Sequence, residues 1–234
     1  MRQAIYIFRK ELDAYFVTPI AYIVISIFVI VTGWFFFSTF FLFNQANLRN
    51  FFDLLPLIFS FVIPAVTMRL FSEELNVGSH EILLTLPVTC RDVVLGKFMA
   101  AVGFIAAMLT PTLSYPICIS FLGRLDWGPV VGGYIGAIFL GASFAAVGLF
   151  ASSLTRNQII AFIIGMVICL ALTLIDKMLF FLPRSLLGAL EYMGADFHFQ
   201  NISKGIIDSR DVLYFISVIF VGLYGAHLSM QEKN

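Results

Sequence analysis

The sequence predicts an all-α integral membrane protein with six transmembrane helices, an N-terminal interfacial helix and both termini in the cytoplasm. Of the 234 residues, 60% are hydrophobic and only 12% are charged, whereas soluble domains are about half apolar and about a quarter charged. The mean hydropathy is +0.97. Long apolar runs recur along the whole chain, and we therefore expect a single transmembrane domain over residues 1–234.

This composition excludes several classes of protein. A chain of this size cannot bury so much apolar surface in a water-soluble core, so soluble enzymes and disordered proteins are excluded. The net charge is zero, from 14 Lys+Arg and 14 Asp+Glu, so no overall positive field attracts nucleic acid. The three cysteines, Cys90, Cys118 and Cys169, have neither a disulfide pattern nor a metal-binding spacing. We expect no metal site and no nucleic-acid partner.

Each predicted span is an apolar run close to the roughly 20 residues that a helix needs to cross a bilayer. The second run is shorter than the first and the third. The second and third runs contain two prolines each. Gly and Ala recur at four-residue intervals in the fourth, which is typical of close helix packing. The runs are Ile20–Phe43, Leu54–Phe71, Phe98–Leu122, Val130–Leu154, Ile159–Ile175 and Val212–Leu228.

Residues 1–18 form an amphipathic segment before the first span. Met1, Ile5, Phe8, Leu12 and Phe16 fall on one helical stripe, which predicts a helix lying in the membrane interface. A simple extension of the first span is the alternative. Proline 19 follows Thr18 directly and indicates a break between the two helices.

The distribution of Lys and Arg predicts the orientation. Six crossings place both termini on one side, here called side A, whose connections hold eight Lys and Arg against six on the opposite side B. Four of those six lie in one long connection, and each short side B loop carries only one. Positive residues favour the cytoplasmic side, so side A is predicted to be cytoplasmic and residues 180–210 to be an extracytoplasmic loop.

Two segments before spans have the spacing of a helix-capping box. They are Thr89–Asp92 and Thr155–Gln158, each with a threonine three residues before an acidic or amide residue. In each, the threonine hydroxyl is expected to accept a hydrogen bond from the backbone N–H three residues later. These boxes predict where the third and fifth spans begin on side A.

The spans lack the groups that several membrane activities require. The centres of five of them contain no Asp, Glu, Lys, Arg or His, which argues against a proton-coupled secondary transporter and against an intramembrane protease. Nor does Gly96-Lys97 belong to a phosphate-binding G-x-x-x-x-G-K-[ST] loop. We therefore expect that the chain is not an enzyme.

The connection between the second and third spans is unusually charged. It begins with Glu73 and Glu74, and Gly78 permits a turn after them. Ser79 can then cap a short helix over Glu81–Leu86, which Pro87 ends. A short amphipathic helix on side A suits docking of a soluble partner, whereas the alternative is a solvated loop.

These residues resemble a known family. The segment is similar to the permeases of ATP-binding cassette (ABC) exporters of the second class, whose pattern is matched here by Glu73-Glu74, Gly78–Glu81, Leu83–Val88 and Gly96-Lys97. A closer resemblance is to the gliding-motility-associated ABC permease subgroup. That resemblance depends on Arg9–Leu12, Thr18–Ile20, His198-Phe199 and Gly205–Phe215.

The resemblance implies a transmembrane permease subunit in a bacterial cytoplasmic (inner) membrane. Two permease copies, or this chain and a related permease, would pair, and a separate soluble ATPase would bind ATP and Mg²⁺. An auxiliary membrane subunit is a further possible partner. Segment 72–88 would be the cytoplasmic coupling segment. The implied ATPase-coupling residues are Glu73, Glu74, Gly78, Ser79 and Glu81, with a second contact formed by Arg9, Lys10 and Glu11.

One alternative function stays open at this stage. The chain could be a non-transporting membrane anchor or assembly subunit of a surface or motility complex. The sequence does not identify a cargo. His198 is the only histidine of the outer loop, and we interpret it as structural.

Overall fold

Helices make up nearly all of the part of the chain that the structure describes, residues 2–43, 47–78, 89–123, 125–178, 192–206 and 208–233. In this computed structural model, six helical segments in those ranges are long and apolar enough to cross a membrane, and no strand occurs in them. The predicted all-α fold and the number of spans are confirmed. The helices are α1 (Arg2–Val17), α2 (Pro19–Phe43), α3 (Arg49–Thr67), α4 (Arg69–Val77), α5 (Cys90–Leu109), α6 (Ser114–Leu122), α7 (Trp127–Leu154), α8 (Gln158–Met178), α9 (Ala195–Ser203) and α10 (Ser209–Gln231).

The helices begin before the apolar runs that predict them. α5 starts at Cys90 because Thr89 caps it: the Thr89 hydroxyl accepts from the Asp92 N–H at 3.3 Å, as the capping box predicts. The second box is wrong in register. Asn157 lies directly before the first residue of α8, and its Oδ1 accepts from the Ile159 N–H at 2.9 Å. The Thr155 hydroxyl accepts instead from the Asn157 N–H at 3.1 Å.

Contacts between helix ends define the two sides of the bundle. On side A, the Lys233 ammonium near the C-terminus donates to the Ser153 carbonyl at the end of α7, at 2.6 Å. Burial, together with the charge of Arg156, lowers the pKa of Lys233. On side B, the end of α9 packs on the start of α7, where a Cβ on Gly132 would lie 2.5 Å from the Ile202 carbonyl. The end of α10 therefore lies with the end of α7 on side A, and the cytoplasmic location of both termini stays a prediction.

The centre of the bundle is α7, which contacts α3, α5, α8, α9 and α10. Its small residues allow these close approaches, as the four-residue pattern predicts. A Cβ on Gly136 would lie 3.2 Å from the Phe199 and Ile202 side chains, and one on Gly141 would lie 2.9 Å from Ile105. The glycines of α7 therefore serve helix packing.

The N-terminal helix packs along the first half of α5. A Cβ on Gly96 would lie 2.7 Å from the Ile7 side chain, so only glycine admits α1 at this distance. Phe8 and Leu12, from the predicted stripe, lie beside Gly103, while Ile5 of the same stripe is exposed. The predicted helix is confirmed, with its break at Thr18. Its position in a membrane interface stays a prediction.

The helix of the third span is interrupted at Pro111. A 3₁₀ turn over Thr110–Leu113 separates α5 from α6. Two tyrosine hydroxyls satisfy nearby carbonyls: Tyr134 donates to the Thr112 carbonyl at 2.8 Å and Tyr115 to the Val29 carbonyl at 3.0 Å. A neighbouring helix, α7, thus satisfies a carbonyl of the turn, as freed backbone groups in a membrane require, while Tyr115 links the start of α6 to α2.

Candidate coupling site

A buried lysine joins three helices on side A. Lys97, near the start of α5, is 1% exposed. Its ammonium donates to the Leu70 carbonyl at 2.7 Å, to Glu74 Oε1 at 2.7 Å and to Glu11 Oε1 at 3.2 Å. It also lies 5.3 Å from the centre of the Phe71 ring. An ammonium has three donors, and all are used here, so Lys97 ties α1 and α4 to α5.

The cluster of Lys97, Glu11 and Glu74 has one positive and two negative groups when all are ionised. The glutamate side chains keep 15% and 17% exposure, so water still solvates part of their charge. Glu74 Oε2 is buried and has no hydrogen-bond partner within the described ranges. Removal of the lysine would leave two carboxylates without compensation, which is far costlier than the intact cluster.

The break between α3 and α4 is stabilised by a serine from α7. The Ser152 hydroxyl accepts from the N–H groups of Phe71 and Ser72, each at 3.0 Å, and donates to the Met68 carbonyl at 2.6 Å. These N–H groups belong to the first turn of α4, which has no side-chain cap of its own. Ser152 therefore fixes the direction in which α4 leaves α3.

Replacing Ser152 with alanine is expected to destabilise the protein by about 1–2 kcal/mol, because two buried N–H groups lose their acceptor. Thermal unfolding in mild detergent measures the effect. The matched control is Ser120→Ala, since Ser120 is exposed and its hydroxyl donates within its own helix, to the Ile117 carbonyl at 2.7 Å. Equal unfolding temperatures for the two variants would contradict the capping role.

A tyrosine of α1 supports the same break from the other side. The Tyr15 hydroxyl donates to the Val66 carbonyl at 3.1 Å, and the Arg69 guanidinium lies 5.0 Å from the centre of the Tyr15 ring. Burial raises the pKa of Tyr15 well above its usual range, against the opposing effect of the Arg69 charge. Tyr15 therefore stays a neutral donor, and α1 contacts the end of α3 as well as α4 and α5.

A charged cleft of about 410 Å³ lies between α1 and α4. Its wall includes Lys10, Glu11, Arg69, Glu73 and Glu74. Four of these, all but Arg69, are among the coupling residues that the sequence predicts. The structure thus brings the N-terminal segment and the acidic pair together on side A.

The predicted coupling residues differ in exposure. Arg9, Lys10, Glu73 and Gly78 are exposed, and Gly78 ends α4 with φ of +76°, the left-handed conformation expected of a glycine turn. Glu11 and Glu74 instead face Lys97. Ser79, Glu81 and the predicted helix Glu81–Leu86 lie outside the described residues.

In the sequence, Lys97 is marked only as half of a Gly-Lys pair. One signal was available: Lys97 stands at the edge of an apolar run with no acid within four residues on either side. A buried lysine needs a counter-charge, so its partners had to come from distant segments. Ser152 carried no such signal, since a serine among small residues is typical of helix packing.

His198 lies on side B, far along the chain from these groups. Its Nδ1 is 2.6 Å from Asp211 Oδ1 in α10, and its Nε2 is 3.1 Å from the Tyr192 carbonyl. Its ring stacks on Tyr214 at 4.2 Å. From α8, Asp176 Oδ2 accepts from the Phe197 N–H at 2.7 Å. These contacts link α9 to α8 and α10.

Comparison with known proteins gives the family. No curated protein matches the sequence significantly. The family described as "ABC-2 family transporter protein" matches residues 6–190, a range that contains Glu11, Glu74 and Lys97 of the cluster as well as Ser152. Because the match covers most of the 234 residues, this multi-pass membrane protein belongs to the ABC-2 transporter family, as a permease component of an ABC transporter.

Proposed function

We propose that the chain is the membrane subunit of an exporter, driven by a separate soluble ATPase that docks on α1 and α4. The ATPase binds ATP and Mg²⁺, and this chain supplies no catalytic group. Two copies of the chain, or this chain and a related permease, form the transporter in a bacterial inner membrane with side A in the cytoplasm. The resemblance to gliding-motility permeases favours that subgroup and does not identify the cargo.

The Lys97 cluster is the observation that carries this proposal. A docking surface transmits force only if it is firmly attached to the spans. Lys97 binds a carboxylate from α1 and another from α4, so these two docking helices move with α5. Through Ser152 and the break at Met68, a displacement of α4 also acts on α7 and α3.

The coupling residues therefore divide into two roles. Arg9, Lys10, Glu73 and Gly78 are exposed and contact the ATPase, and the family resemblance assigns Ser79 and Glu81 to the same role. Glu11 and Glu74 act inside the protein, as ligands of the Lys97 ammonium. Tightly packed interiors switch between discrete arrangements instead of deforming gradually, so the three helices shift together when the ATPase closes.

The double variant Lys10→Ala, Glu73→Ala tests the docking surface. Both side chains are exposed, so the protein should fold normally but retain at least tenfold less of the ATPase that copurifies with the wild-type chain. The matched control is Arg156→Ala, Glu232→Ala, which removes one base and one acid, both exposed, elsewhere on side A. The control variant should retain the ATPase.

Two results would contradict the proposal. One is equal ATPase recovery with both double variants, which would remove α1 and α4 from the docking surface. The other is a wild-type chain that purifies from mild detergent without any ATPase. A soluble P-loop protein at one-to-one stoichiometry, with ATPase activity, is the expected partner.

A further inference from the structure

A second cleft opens on side B, away from the coupling site. It measures about 330 Å³ and lies between the start of α3, the start of α7 and the residues after α9. Its rim carries Arg49 and Lys204, and its apolar wall includes Phe52, Leu125 and Val130. A cleft with a basic rim and an apolar floor suits a ligand that has an anionic head and an apolar tail.

The two cations are available and firmly positioned. Within the described part of the chain, neither Arg49 nor Lys204 has a carboxylate within ion-pair distance. Lys204 lies between Ile202 and Gly205, whose backbones pack against Gly132: a Cβ there would lie 2.5 Å from the Ile202 carbonyl and 3.0 Å from the Gly205 Cα. The backbone that carries Lys204 is therefore fixed on α7.

Arg49 is positioned by the aromatic residue one turn later. The Phe52 ring contacts α7 where Gly133 has no side chain, and a Cβ at that position would overlap the ring. Phe52 is 2% exposed. This contact holds the start of α3 against the start of α7, so the two sides of the cleft are preformed.

The exposed side chains beside the cleft indicate its depth in the membrane. Trp127 is the first residue of α7, and it is 53% exposed, while Phe121 and Leu122 at the end of α6 are 85% and 70% exposed. Exposed aromatic residues at span ends are typical of the headgroup layer. The cleft thus opens where lipid headgroups lie, on the side opposite the coupling site.

We propose that this side B cleft binds the phosphate of an anionic phospholipid from the adjacent leaflet. Arg49 and Lys204 contact the phosphate, and the first carbons of the lipid lie on Phe52, Leu125 and Val130. Arg and Lys side chains form strong charge-assisted hydrogen bonds with phosphate oxygens. A free phosphate would gain nothing from the apolar wall, so a lipid is the better occupant.

Two acids near the cleft affect the expected binding. Asp126 lines it, but its Oδ1 accepts from the Gly128 N–H at 3.2 Å and so caps α7. Asp53 lies one turn beyond Arg49 and within electrostatic range of both cations. Since Asp53 competes with a phosphate for them, its neutralisation should strengthen lipid binding.

Tryptophan fluorescence with brominated lipids tests the proposal. The chain has two tryptophans, and Trp34→Phe leaves Trp127 beside the cleft as the only reporter. Vesicles with brominated phosphatidylglycerol or brominated phosphatidylcholine then give the relative affinity of lipids that contact Trp127. We expect phosphatidylglycerol to bind about three- to tenfold more tightly, given the typical contribution of basic residues near a membrane surface.

Three variants on the Trp34→Phe background separate the outcomes. Arg49→Gln with Lys204→Gln should remove the preference, Asp53→Asn should increase it, and Arg210→Gln, an exposed side B cation outside the cleft, should leave it unchanged. An equal response to both lipids in the parent, or a preference that survives the double variant, would overturn the site. Loss of the preference with millimolar glycerol phosphate would assign it to a soluble phosphate instead. The assay needs no ATPase, so its result is independent of the proposed coupling.

Discussion

Replacing Lys97 with methionine is expected to destabilise the protein by about 3 kcal/mol, the lower end of the range for breaking a buried ion pair. Methionine keeps the length and the packing against Phe71, so the loss is mainly electrostatic. Glu11 and Glu74 would face each other without a cation, and their partial exposure of 15% and 17% limits the cost. The thermal unfolding midpoint in detergent measures this effect.

Neutralising the carboxylates should reverse most of the loss. In the triple variant Lys97→Met, Glu11→Gln, Glu74→Gln, no buried charge is left without compensation, and stability should return to within about 1 kcal/mol of the wild-type protein. Lys10→Met is the matched control, because Lys10 lines the same cleft but is exposed, and it should cost less than about 0.5 kcal/mol. A triple variant as unstable as Lys97→Met alone would show that packing, not charge, sets the role of Lys97.

The same variants distinguish docking from coupling. Lys10 and Glu73 are exposed, so their removal should weaken ATPase binding itself. The triple variant keeps these residues and should still bind the ATPase, but without the ammonium the helices α1 and α4 are no longer tied to α5. The activity of the bound ATPase should therefore no longer depend on the state of the permease, while the amount of ATPase bound is unchanged.

Local patterns in the sequence predicted what depends on neighbouring residues. Apolar runs predicted the six spans, Thr89 predicted the start of α5, and the glycine spacing predicted the close contacts of α7. Helix geometry contains a further hint about the acidic pair. Adjacent helical residues are about 100° apart around the axis, so Glu73 and Glu74 in α4 point in different directions, and only Glu74 bonds to Lys97 while Glu73 is exposed.

Pairings between distant segments could not be predicted in this way. Lys97 bonds to Glu11 and Glu74, which are 86 and 23 positions away, and Ser152 caps a helix 81 positions before it. No periodicity relates such residues, because their proximity follows from how six helices pack. The coupling site was predicted as a set of residue types, and its division into exposed and internal groups required the structure.

Replacing Asp211 of α10 with alanine is expected to destabilise the protein by about 3 kcal/mol. The reason is that Asp211 is the partner of His198 in the side B helix α9. The Tyr192 carbonyl only accepts, so His198 Nε2 carries a proton, and Nδ1 faces a carboxylate at 2.6 Å. Both groups are nearly fully buried, at 3% and 4% side-chain exposure. The pair must therefore share a proton, and alanine would leave the ring nitrogen without a partner. Hydrogen exchange should rise in α9 and stay unchanged in α4.

A conservative variant tests whether the shared proton is the cause. In Asp211→Asn the side-chain amide can donate to Nδ1 of a neutral His198 that keeps its proton on Nε2. Both hydrogen bonds then survive without charge, so the loss should be about 1 kcal/mol, close to the value of one ordinary hydrogen bond. If asparagine and alanine both cost about 3 kcal/mol, the pair is stabilised by its charges, because a neutral hydrogen bond of the same geometry does not replace it. If both variants cost only about 1 kcal/mol, His198 contributes through its stacking on Tyr214 instead.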